Sequence, residues 1–108
     1  MTTYRHMRLR ADLEADGAIA LPRLIRVAGG DTGQSGRVRR FLLGLYNGDA
    51  FKFDLTELRS LDRNLQEDCM AVLAMDIDGP RVEVHERTAA SAVIAKWAAD
   101  AWPQEPSR

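Results

Sequence analysis

The sequence predicts a mostly α-helical protein: one small domain built as a bundle of about four helices, with at most one short β pair. Apolar residues recur at intervals of three and four along most of the chain, which is the period of a helix with one buried face. Those stretches are separated by glycine-rich or Asp/Asn-rich stops. A chain of 108 residues is also enough for a single core without staples.

Residues 1–16 alternate Arg5, Arg8 and Arg10 with Asp12, Glu14 and Asp16 and carry few large apolar side chains, so they are expected to form a mobile arm. A helix over Arg8 to Ala15 is left unassigned, because Met7, Leu9 and Leu13 offer little surface to bury. Residues 17–103 are the expected helical domain and 104–108 a flexible tail. Within the domain, Ile19, Leu21, Leu24, Ile25, Val27 and Ala28 follow helical spacing. Pro22 is tolerated in a first turn, so this helix is placed from about Leu21 to Ala28.

Gly29 and Gly30 supply its stop. Four of the eight glycines fall between Ala28 and Gly36, and Asp31, Thr32 and Ser35 can each accept a bond from the free amides opening the next helix. The loop Gly30-Asp31-Thr32-Gly33-Gln34-Ser35 thus reads as a stop followed by a start. The second helix sets Val38, Phe41, Leu42 and Leu45 on one face and Arg37, Arg39 and Arg40 at or near the other, and Asn47-Gly48-Asp49 ends it.

Phe51-Lys52-Phe53 reads as an extended connector that buries one or both rings. Asp54-Leu55-Thr56-Glu57 has capping-box side chains, with Glu57 placed to reach back to the N-cap amide. Leu55, Leu58, Leu61, Leu65, Cys69, Val72 and Leu73 then make one stripe on a long helix whose other face is acidic and solvated. Ser60 or Asp62 can act as a second N-cap and break it. After the turn at Asp76 to Pro80, Arg81 to His85 alternates as a short strand, with either Phe51 to Phe53 or Met75 to Ile77 as its partner. A last helix starts at Thr88 as N-cap and carries Ala90, Val93, Ile94, Trp97, Ala98, Ala101 and Trp102 before Pro103. Trp97 is the expected core residue. Trp102, in the last turn, is either a lid on the core edge or part of a patch covered by a partner.

Composition narrows the function classes. A net charge of −1 argues against a general polyanion binder. The balance is +4 from Gly17 to Phe53 and −5 from Asp54 to Asp78, so the two stretches can neutralise each other by packing. The single cysteine suits a reducing compartment, and neither a membrane span nor a signal peptide is read in the chain, which places the protein in the cytoplasm.

No motif for chemistry is complete. The glycine loop follows a helix and spaces Gly30, Gly33 and Gly36 by three, unlike either phosphate-binding fingerprint. Cys69 lies on the apolar stripe and reads as a small core residue. His6 and His85 have no nameable partner, two histidines with one cysteine make no metal set, and Asp76-x-Asp78-Gly79 lacks the remaining ligands of a calcium loop. No catalytic, cofactor-binding or metal-ligating residue is therefore assigned. Helix, turn and basic helix invite a helix-turn-helix reading through Arg37, Arg39 and Arg40, but the turn lacks the apolar residues that fix the angle of that motif.

Leu24 to Ser35, together with Phe41-Leu42-Leu43, Asn47 and Phe53 to Leu58, resembles an uncharacterised family of small bacterial proteins found on proteobacterial plasmids, prophages and integrative elements. The resemblance covers roughly Leu21 to Leu73, and Gly30 to Ser35 is its most specific part. It implies a bacterial cytosolic accessory protein and no known activity. The function expected is a non-catalytic protein-interaction or accessory module, with an unknown protein partner or self-association. A nucleic-acid-binding accessory factor that uses the basic second helix is the second reading.

Overall fold

A computed structural model describes residues 10–77 and 88–101. Among the described residues four α-helices and one 3-10 helix follow one another: α1 (Arg10–Ala28), α2 (Gly33–Tyr46), the 3-10 helix (Leu55–Ser60), α3 (Arg63–Ile77) and α4 (Thr88–Ala101). No strand occurs among the described residues, and Phe51 to Phe53 runs as an irregular connector. The expected strand Arg81 to His85, His6, Trp102, the tail and residues 1–9 lie outside the described residues.

The first helix is longer than expected. It starts at Arg10, so the segment up to Asp16 is helix and not arm, and Pro22 sits inside it. One stripe explains both differences. Leu13, Gly17, Ala20, Leu21, Leu24 and Ala28 are all buried and follow one another at helical spacing straight through the proline. The stripe is hard to see in the sequence because Gly17 and Ala20 count as weakly apolar. Burial of small residues here means close approach. A Cβ on Gly17 would stand 2.6 Å from both Cβ and Sδ of Met75, so α1 and α3 touch backbone to side chain at this crossing. Pro22 removes the amide that would serve the Ala18 carbonyl, but both residues face solvent, where water can take the bond. Ile19, expected on the buried face, is exposed.

α1 packs most extensively on α3 and less on α2, while α4 lies against α1 and α2. Gly17 meets Met75 and Arg23 meets Asp68, so α1 and α3 run antiparallel. The core they enclose with α2 and α4 contains Leu21, Leu24, Val38, Leu42, Cys69, Val72, Met75, Ile94 and Ala98. Among the described side chains of α4, Ile94 and Ala98 are buried. Trp97, expected at the centre of the stripe, is only partly buried against the core edge.

The expected long helix from Leu55 is broken at Leu61 and Asp62. Asp54 caps its first part: the carboxylate accepts from the Thr56 amide at 2.9 Å and the Thr56 hydroxyl at 2.8 Å, and these bonds hold its carboxyl below the usual range. The six residues that follow are wound as 3-10 helix, in which i and i+3 eclipse, and none of them is fully buried. Leu55 is therefore left exposed, off the stripe it was assigned to. α3 begins afresh, with the Asp62 carbonyl accepting the Gln66 amide at 2.9 Å. At the end of α2, Asn47 stops the helix as expected, its side chain accepting the Asp49 and Ala50 amides at 3.1 Å each. The connector then lays Phe53 edge-on against Phe41, ring centres 5.7 Å apart.

Candidate functional site

The glycine loop is the obvious place to look for a site, and its side chains are occupied by the fold. Thr32 has extended backbone at the N-cap of α2, and its Oγ1 accepts from the Ser35 amide at 3.1 Å. Ser35 is buried, with its hydroxyl 2.9 Å from the Thr32 hydroxyl. Gly30 makes room for it: a Cβ at Gly30 would lie 2.9 Å from Ser35 Oγ. The glycine is required here for proximity, since no described glycine has a left-handed φ. Gln34 reaches out of the loop to the start of α3, donating to Asp62 Oδ2 at 3.0 Å and accepting from the Asp62 amide at 2.6 Å. Asp31 and Gly33 are exposed. The sequence shows that the loop ends one helix and begins another; that it also clasps α3 needs the Gln34 to Asp62 geometry.

The three arginines of α2 go to different places. Arg39 turns back to the end of α1 and donates from Nε and Nη2 to the Ala28 carbonyl at 3.1 and 2.7 Å. Its guanidinium lies 5.0 Å from the ring centre of Trp97, so a single side chain joins α1, α2 and α4. Arg40 donates from Nε to both carboxylate oxygens of Glu57 at 3.2 and 3.3 Å. Hydrogen bonding to Glu57 holds the Arg40 proton more firmly than usual. Glu57 was expected to close a capping box on Asp54, and the ion pair to Arg40 takes it instead. Arg37 makes no hydrogen bond or ion pair of this kind among the described residues, although a Cβ on Gly33 would be 3.5 Å from its Nη1.

The acidic face of α3 is not wholly solvated either. Asp68 is buried at the α1–α3 seam and receives Arg23 Nε at 3.0 Å and Nη2 at 2.8 Å, a two-pronged pair across 45 residues of sequence. The hydrogen bonds to Asp68, and then its charge, raise the Arg23 guanidinium above its ordinary value. Next to it, Cys69 is fully buried and free. Burial, and after it the neighbouring Asp68 charge, push its thiol up to about 12, which keeps it protonated and unreactive near neutral pH.

Part of the open surface is apolar. Among the described residues four large hydrophobic side chains are more than half exposed: Ile19, Leu55, Met70 and Ile77. They are not scattered. Arg63, Gln66, Met70, Leu73 and Ile77, spaced alternately by three and four, line one groove of about 680 Å³ along α3. A neighbouring hollow shares Ala71 with this groove and includes Ile19, and another shares Leu73 and includes Leu55. Met70, Leu73 and Ile77 keep helical spacing and are legible in the sequence, but Leu73 also belongs to the stripe read as buried, and periodicity does not say that Met70 and Ile77 stay open beside it.

The arrangement defines a small helical domain whose polar loop and arginine side chains largely hold the fold together and which leaves an apolar groove open along α3. Residues 18–103 match a family of unknown function, DUF7673, and the chain belongs to that family. The match extends further toward the C-terminus than the resemblance read from Leu21 to Leu73. No curated protein and no solved structure matches the chain. No described helix is long and apolar enough to cross a membrane.

Proposed function

We propose that this protein is a small non-catalytic interaction module that docks a protein partner on the groove of α3. The observation that supports the reading is the clustering of Met70 and Ile77 in one groove, with Ile19 and Leu55 in adjoining hollows. Contiguous exposed apolar surface costs solubility, and in soluble proteins it commonly marks an interaction site. The family resemblance extends the reading to a bacterial accessory protein of plasmids, prophages or integrative elements. The single cysteine, which suits a reducing compartment, supports a cytoplasmic setting. The nucleic-acid reading is less favoured, because Arg39 and Arg40 hold Ala28 and Glu57.

The test compares the wild-type chain with Met70→Lys and Ile77→Lys, both exposed positions where folding should change by only about 0.5 kcal/mol. Proteins co-purified from the native host, and the sedimentation of the chain alone over a range of concentrations, should both respond to the substitutions. The reading is overturned if every captured protein and the oligomeric state are the same in wild type and variants. Binding to random duplex DNA that weakens steeply with salt and is lost in Arg37→Ala would favour the nucleic-acid factor instead.

A further inference from the structure

No further inference is drawn: the strongest candidate, a second copy of the chain seated on the apolar groove along α3, carries nothing because the groove ends at Ile77, where the described residues stop, and nothing in the structure shows what covers it.

Discussion

Single atoms at the head of α2 and in the middle of α3 set clear expectations at the residue scale. Thr32 supplies the cap that Asp31, beside it and equally plausible in sequence, does not. Thr32→Ala should therefore cost about 1 kcal/mol in urea unfolding, and Asp31→Ala close to nothing. The reverse order would reassign the cap. Cys69 gives a pH test. Its thiol is protonated in both folded and unfolded chains below pH about 9, so it contributes no pH dependence there. Between about 9 and about 12 the unfolded chain releases the proton and the folded chain keeps it, so stability should fall as pH rises through that window. Cys69→Ala should start less stable, because a buried side chain is trimmed, yet show a shallower alkaline loss. Equal slopes for the two proteins, or rapid maleimide labelling of the native wild type at pH 8, would show that the thiol is accessible.

At the scale of elements, the most informative departure from expectation is α1. An interior proline costs roughly 3 kcal/mol in an isolated helix, which is why the sequence alone starts this helix at Leu21. Leu13 and Gly17 lie on the far side of Pro22 and are both buried, Gly17 on Met75, so tertiary contact outweighs the local penalty. Pro22→Ala returns an amide to the Ala18 carbonyl at an exposed position. The exchange should raise stability by about 1 to 2 kcal/mol, after allowance for the entropy the proline removes from the unfolded chain. A loss of stability would mean that the backbone geometry Pro22 imposes is itself needed to seat α1 on α3. The break before α3 has a comparable cause. Asp62 has the residue type of an N-cap, but its carboxylate is drawn to Gln34, 28 residues away, a partner that no local pattern announces.

At the scale of the whole molecule, Arg39 joins three helices. Its two bonds to the Ala28 carbonyl satisfy an end that α1 cannot satisfy for itself, and its guanidinium covers Trp97. Arg39→Ala should cost about 2 kcal/mol, since charged hydrogen bonds and the packing of the side-chain stem are lost together. In a Trp102→Phe background the fluorescence of Trp97 should also shift to the red as the ring gains water. Unchanged stability and emission would show that the joint carries no weight. The same side chain illustrates how charge in this protein is spent. The basic stretch up to Phe53 and the acidic stretch after it do meet, through Arg23 with Asp68 and Arg40 with Glu57.

The sequence by itself determined the helical class, the loop between α1 and α2, the end of α2 at Asn47, the capping start at Asp54 and the burial of Cys69. All of these follow from local signals: period, cap chemistry and turn residues. The tertiary structure alone decided how far α1 runs, that Leu55 leaves the stripe while Met70 and Ile77 stay open, and where the side chains of Gln34, Arg39, Glu57 and Asp68 go. These depend on which surfaces meet. A glycine that admits Met75, or a carboxylate claimed by an arginine 45 residues away, acts through a neighbour that is close in space and distant in sequence.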